Sequence, residues 1–315
     1  MKILITEIIW QVGIEKLSEF AEVEYDPTLW NNRDLLLEKV KQVDALIVRN
    51  QTKVDKELLL AAKDVKVVGR LGVGLDNIDL LSAKELGKKV VYARNANAIS
   101  VAEYVMGAML EASRSFSQAN TSVKNGEWNR KRFTGRELYG KTIGLLGVGE
   151  IAHRVAKRAS AFGMNIIGYD PFLTEYDFPI AELNICLVNF EKLLSQSDFI
   201  SIHVPLTPET KSLFMYPQFG QMKNSSYIIN TSRGGIINEA DLHEALLSKE
   251  ISGAYLDVLE EEPANPTNLL LECENAILTP HIAGLTDESQ HRTSVLVAEE
   301  VRKILQGQNA LCVVR

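Results

Sequence analysis

The sequence predicts an α/β protein built as two doubly wound parallel-sheet domains with a cleft between them. Three observations carry that expectation. Short apolar runs alternate with amphipathic stretches along the whole chain. One such run leads into a glycine turn, then a helix, then a second run at 142–170. Four later apolar runs each end on polar residues, and parallel strands would bring those ends to one edge.

The elements follow in order. Lys2–Thr6, Ala45–Val48, Val65–Val68 and Val90–Tyr92 read as strands, and Glu15–Phe20, Arg33–Gln42, Lys56–Lys63 and Leu80–Leu86 as helices. No glycine turn follows the first strand, so this part of the chain reads as a substrate domain. The segment Gly69-Arg70-Leu71-Gly72-Val73-Gly74 reads either as a backbone nest for a carboxylate or as a plain turn. Arg49 follows a strand, at the edge where open sheets bind ligands, and can also be an ordinary solvated cation. Ala98 to about Ser117 is apolar nearly all round, which predicts a helix buried on several sides, bridging domains or lining a dimer interface. Arg130-Lys131-Arg132, flanked by aromatics, is a solvated loop or an anion site. Asp287–Leu305 reads as a closing helix and Ala310–Val314 as a last short strand. The expected division is 1–98 plus 286–315 for the substrate domain and 99–285 for a second, Rossmann-like domain that carries the glycine turn.

The glycine turn is the most specific local feature. Thr142–Leu146 predicts a buried strand, Gly147 a tight turn, and Gly149 close approach of backbone to a pyrophosphate at a helix N-terminus. Asn165–Tyr169 ends in Asp170, about 20 residues past the glycines, where a carboxylate accepts from the adenine ribose hydroxyls. That carboxylate, followed by Pro171 rather than a cation, favours NAD over NADP. Ala152 stands at the third glycine position.

The strand ends after the turn supply the chemistry. Asp198–Val204 runs into Pro205, Tyr227–Asn230 into Thr231-Ser232-Arg233, Gly253–Val258 into Glu260-Glu261-Glu262, and Ala276–Leu278 into Thr279-Pro280-His281. Reduction of a 2-keto acid needs a cation for the carboxylate, a proton donor for the carbonyl oxygen, and a group that orients the donor. Arg233, His281 and Glu262 fit those three roles. Taken singly, each also reads as a loop-holding or solvated residue.

Composition narrows the class. The chain has 315 residues and a formal net charge of −7, which disfavours nucleic acid and anionic membranes as partners. Three dispersed cysteines form no metal or disulfide pattern, and no metal is expected. No apolar run reaches membrane-spanning length, and the N-terminus lacks a signal-peptide cleavage site, so a cytoplasmic protein is expected.

The segments RLGVGLDNID, NAISVAEYVMGAML, GKTIGLLGVGEIA with IIGYDP, SDFISIHVPLTPET, NTSRGGIINEADL, GAYLDVLEEEP and LTPHIAG together resemble the D-isomer-specific 2-hydroxyacid dehydrogenases over nearly the whole chain. The resemblance implies catalytic roles for Arg233, Glu262 and His281, and carboxylate binding by Val73 and Gly74 with Asn97 beside the substrate. It implies NAD contacts at Glu150, Ile151, Val204, Pro205, Thr210, Thr231, Ser232, Asp257 and Gly284, and a homodimer around the helix starting near Ala98. GEWNRKRFTGREL and VVGRLGVGLDNID look most like the 3-phosphoglycerate dehydrogenases, which implies that Arg49, Arg70 and Arg132 lie near an anionic substrate tail. Serine feedback through a regulatory extension is not expected. The alternatives are reductases of sulfopyruvate, hydroxypyruvate, glyoxylate or pyruvate, and, in another class, an NAD-sensing scaffold related to corepressors. A methyltransferase with a related glycine turn would leave Arg233, Glu262 and His281 unused.

Overall fold

The computed structural model describes residues 1–314. The elements in chain order are β1 (Lys2–Ile5), α1 (Gln11–Ser18), β2 (Glu22–Tyr25), α2 (Arg33–Lys39), β3 (Ala45–Val48), α3 (Lys56–Ala61), β4 (Val67–Arg70), α4 (Leu80–Glu85), β5 (Lys89–Tyr92), α5 (Ala98–Arg114), α6 (Phe116–Lys124), β6 (Thr142–Leu146) and α7 (Glu150–Ala161). There follow β7 (Asn165–Tyr169), α8 (Phe178–Leu183), β8 (Cys186–Leu187), α9 (Phe190–Gln196), β9 (Phe199–Ile202), α10 (Tyr216–Phe219), β10 (Tyr227–Asn230), α11 (Glu239–Leu247), β11 (Gly253–Leu256), β12 (Ala276–Leu278) and α12 (Asp287–Leu305). They form two compact units, Met1–Asn97 with Leu285–Arg315, and Ala98–Gly284.

The first unit holds a five-stranded parallel sheet in the order β2-β1-β3-β4-β5. Alternate side chains of each strand fill opposite faces. Leu4, Leu46, Val48, Val68 and Val90 pack with Leu36, Leu58 and Leu59 of α2 and α3. Ile3, Ile5, Ala45, Ile47 and Val67 pack with Leu17 of α1 and with Val297, Val301 and Ile304 of α12. The chain reverses direction across the sheet between β1 and β3, the kind of point at which open α/β sheets bind ligands. The tail expected to form a strand makes one antiparallel bridge to β5, Val313 to Val91. Buried Glu300 anchors it by accepting from the Leu311 and Cys312 N–H groups at 2.5 and 2.6 Å.

The second unit holds a seven-stranded parallel sheet, β12-β11-β10-β9-β6-β7-β8. Ile143, Leu145, Phe199 and Ile229 face α5 and α7, while Leu146, Ile200, Ile202, Ile228 and Leu256 face α9 and α11. Its reversal lies between β6 and β9. The expected helix from Ala98 to Ser117 is broken at Ser115, whose φ of 47° ends α5 and starts α6. Among the described residues, no helix is long and apolar enough to cross a membrane.

Gly69 in β4 is required by the approach of α12. A Cβ there would stand 2.8 Å from Val297 Cγ1 and 2.9 Å from Val301 Cγ2, both on fully buried residues. Gly69→Ala is expected to destabilise the protein by about 1–3 kcal/mol through overpacking, measured as a lower urea midpoint at unchanged slope. An unchanged midpoint would contradict the packing account.

Candidate active site

Because every strand of the second unit runs parallel, the loops after β6, β9, β10, β11 and β12 leave from one edge. At β6 the turn needs glycine. Gly147 has φ 81°, and a side chain would strike Val204 Cγ1 at 2.8 Å. Val148 N–H and Phe172 N–H donate to the two oxygens of Asp170, at 2.9 and 3.0 Å, so the acid at the end of β7 is tied to the glycine turn. Gly149 caps α7 without a side-chain hydrogen bond, and open space surrounds the place its Cβ would take. The first N–H groups of α7 thus meet a clear approach, as an anionic pyrophosphate requires. Glu150 is exposed and paired with Arg154, which offsets its charge at this positive helix end. Ile151 is half-buried, and Ala152 is fully buried against the sheet. These features fit a dinucleotide.

The loop after β9 presents Val204 and Pro205. Thr210 spends its hydroxyl inside that loop, donating to Pro205 O at 2.6 Å and accepting from Thr207 N–H at 2.7 Å. After β10, Asn230 organises the turn. Its Oδ1 accepts from Ser232 N–H and Oγ at 3.0 and 2.8 Å, and its Nδ2 donates to Arg233 O at 2.8 Å. Asn230 is absent from the sequence-derived site set, yet an asparagine two residues before a serine carries an Asx-turn signal. Thr231 Oγ1 is buried and takes no hydrogen bond from a described residue.

Three turns then converge. A Cβ on Gly234 would lie 1.8 Å from Leu259 O, so the Arg233 turn abuts the Leu259–Glu262 turn backbone to backbone. Glu262 Oε1 accepts from Leu259 N–H at 3.2 Å, and Oε2 stands 2.8 Å from His281 Nδ1. Burial acts to raise the Glu262 carboxyl, but the His281 bond and charge, the Leu259 N–H and the Arg233 guanidinium outweigh it and hold the group below the usual carboxylate range. With Nδ1 committed to a carboxylate, Nε2 is the ring nitrogen that no described residue engages. Asp257, for which the resemblance implies a cofactor contact, is 1% exposed. Its oxygens accept from Thr279 Oγ1, Ile282 N–H and Ala283 N–H at 2.6, 2.8 and 2.7 Å. Gly284 follows directly.

In the first unit, Arg49 and Glu7 sit at the reversal point between β1 and β3. Glu7 is 2% exposed and accepts from the N–H groups of Arg49, Asn50, Gln51 and Thr52 at 2.8–3.1 Å. No sequence motif announces this glutamate. The half-buried Arg49 guanidinium has no hydrogen-bond or ion-pair partner among the described residues, and burial lowers its pKa against the pull of Glu7. Arg70 Nη1 donates to Leu71 O at 2.9 Å, and Asn77 Nδ2 bridges Arg49 O and Thr52 O at 3.1 and 2.8 Å. Val73 and Gly74 are half-exposed on the loop between. Asn97 Oδ1 is buried without a hydrogen-bond partner.

Arg132 stands at a different edge of the second unit from Arg233, Glu262 and His281. Within the protomer it lines a cavity of about 190 Å³ with Arg136, Lys141, Asp198 and Tyr227, at the amino-terminal edge of the second sheet. That edge is opposite the one carrying Gly147, Arg233 and Glu262. The reason is topological: residues 125–141 lead into β6, and a chain entering a parallel strand does so at its amino end. Arg132 there pairs with Glu127 at 3.7 Å and lies over Phe133.

A profile of the D-isomer specific 2-hydroxyacid dehydrogenase, NAD binding domain, matches residues 106–283. The chain is 47% identical over 312 residues to a D-3-phosphoglycerate dehydrogenase of Methanocaldococcus jannaschii, covering 98% of this chain and 58% of that protein. It thus spans somewhat over half of that relative's length. It is 44% identical over 277 residues to a hydroxypyruvate reductase of Thermotoga maritima, covering 87% and 88% of the two chains. The fold matches the crystal structure of the TT0316 protein from Thermus thermophilus with a TM-score of 0.92 at 30% identity, over 100% of both chains.

His203, at the end of β9, has its Nε2 2.9 Å from Ser201 Oγ. Burial pushes its imidazole from 6.5 down to about 3, although the residue as a whole keeps partial exposure. The folded protein therefore holds it neutral while the unfolded chain takes up a proton. Stability is expected to fall as pH drops from about 6.5 toward about 3. Urea unfolding at several pH values should show this slope, and His203→Gln should flatten it; an identical slope in the variant would contradict the assignment.

Proposed function

The chain belongs to the D-isomer specific 2-hydroxyacid dehydrogenase family, and on that premise we propose that it interconverts a D-2-hydroxy acid and its 2-keto acid with NAD. The observation that carries the reading is the His281 Nδ1 to Glu262 Oε2 contact at 2.8 Å on turns that abut the Arg233 turn. When bound, the nicotinamide supplies or accepts the hydride. Gly147, Gly149 and the N-terminus of α7 would hold the pyrophosphate, Asp170 the adenine ribose, and Thr231, with its unengaged buried hydroxyl, the nicotinamide half. Val204, Pro205, Ser232 and Gly284 would line the same cofactor.

Arg233 binds the substrate carboxylate and polarises the adjacent carbonyl. His281 Nε2 delivers the proton to the carbonyl oxygen during reduction and removes it during oxidation. Glu262 fixes the ring by accepting from Nδ1–H. The Val73 and Gly74 backbone and Asn97 serve the substrate. Arg49, a half-buried cation whose guanidinium has no described hydrogen-bond or ion-pair partner, together with Arg70, favours a substrate with an anionic tail. The substrate that fits this best is 3-phosphoglycerate, with 3-phosphohydroxypyruvate as its keto form; a sulfonated tail offers the same chemistry. The functional protein is a cytoplasmic homodimer. The apolar side chains of Ile99, Phe116, Val123 and Trp128, each at least 40% exposed on or beside α5 and α6, supply the association face.

Variant kinetics test the roles. His281→Gln is expected to lower kcat for keto-acid reduction by roughly a thousandfold with NADH affinity unchanged, the loss of a general acid. Arg49→Ala is expected to raise KM for the anionic-tail acid about tenfold or more while leaving kcat for pyruvate unaltered. Wild-type turnover by His281→Gln would refute the assignment of the acid, and equal KM values in Arg49→Ala would refute the tail reading.

A further inference from the structure

We propose that Tyr104 is a positioning residue for His281, acting through the Thr279 hydroxyl and the Asp257 carboxylate. The proposal rests on the reading of His281 as the proton donor. His281 has φ 55°, left-handed backbone that non-glycine residues adopt uncommonly. Most of the restraint comes from Asp257, with Thr279 O sharing the His281 N–H at 2.9 Å. Asp257 O accepts the His281 N–H at 2.9 Å, and the Asp257 carboxylate accepts from Ile282 and Ala283 N–H and from Thr279 Oγ1. The chain on both sides of His281 is thereby fastened to the end of β11, while Glu262 holds the ring.

Thr279 Oγ1 also lies 2.6 Å from the hydroxyl of Tyr104 on α5. The direction of the proton chain follows from valence. Threonine has one hydroxyl proton, and an ionised carboxylate only accepts, so that proton goes to Asp257 Oδ1. Thr279 Oγ1 then offers a lone pair to Tyr104, which must be the donor. Burial pushes the Tyr104 phenol up, the Thr279 bond acts the other way, and the Asp257 charge adds to the rise, so the donor keeps its proton. Donation by Tyr104 polarises the Thr279 hydroxyl toward Asp257. The hydroxyl is not what seats the helix: Val101, Ala102, Val105, Met106 and Met109 bury the apolar face of α5 without it.

The test uses Tyr104→Phe, Thr279→Val and Thr279→Ser in the full chain, with His281→Gln as reference. Tyr104→Phe and Thr279→Val are expected to lower kcat for NADH-dependent keto-acid reduction about tenfold, with NADH affinity within about twofold of wild type. Thr279→Ser, which keeps the relay oxygen, should retain kcat. The double variant Tyr104→Phe/Thr279→Val should be no worse than Thr279→Val alone. Independently of turnover, hydrogen exchange at the His281, Ile282 and Ala283 amides should quicken in Tyr104→Phe. Unchanged kcat and unchanged exchange in Tyr104→Phe, with His281→Gln inactive, would overturn the relay alone; so would Thr279→Ser as impaired as Thr279→Val. Full activity in His281→Gln would overturn the reading of His281, and the positioning role of Tyr104 with it.

Discussion

One buried carboxylate decides where His281 sits. Asp257 ends β11, lies out of water, and accepts three hydrogen bonds from residues 279–283 while its own carbonyl accepts a fourth from His281. A group so placed tolerates no vacancy, because losing a donor leaves buried charge unsatisfied. The chain after β12 is therefore held in one path, left-handed His281 included, and the ring arrives 2.8 Å from Glu262. Everything proposed for proton transfer depends on that fastening.

The first unit uses the same device at its own reversal point. Glu7, just beyond β1, is buried and accepts four successive N–H groups from residues 49–52. The loop curls around an anion that the protein itself supplies, and Arg49 emerges from it as a half-buried cation. In both units, then, a strand-end carboxylate shapes a neighbouring loop, and the loop presents a chemically competent side chain. The parallel sheets supply the precondition, since only parallel strands release such loops from one edge.

Features carried by local chemistry were legible in the sequence. The glycine turn, Asp170 and the apolar strands could be read because each depends on a few adjacent residues. Arg233, Glu262 and His281 were legible as residues that follow strands. What escaped depends on distant partners. The strand Glu22–Tyr25 is an edge strand with alternating glutamates, so it gives no apolar run; Lys2 pairs with Glu24 at 2.8 Å to hold it. The strand Cys186–Leu187 is two residues long, below any periodic signal. The break at Ser115 has no glycine or proline to announce it. Glu7, Asn230 and Tyr104 look like ordinary polar residues until their partners, up to 175 residues away for Tyr104, are brought alongside. For Arg132, residue type suggests an anion site, while the edge at which it stands within the protomer is decided by topology, which no local signal carries.

The most direct measurement is NADH oxidation at 340 nm by the purified protein against 3-phosphohydroxypyruvate, sulfopyruvate, hydroxypyruvate, glyoxylate and pyruvate, each repeated with NADPH. The account predicts NADH-dependent turnover, with the phosphorylated or sulfonated acids favoured at least about a hundredfold in kcat/KM, roughly 2.7 kcal/mol of discrimination. It also predicts poor use of NADPH, because Asp170 repels a 2′-phosphate. Absence of turnover with every keto acid, by protein that still binds NADH, would contradict the account and leave a nucleotide-binding scaffold in its place.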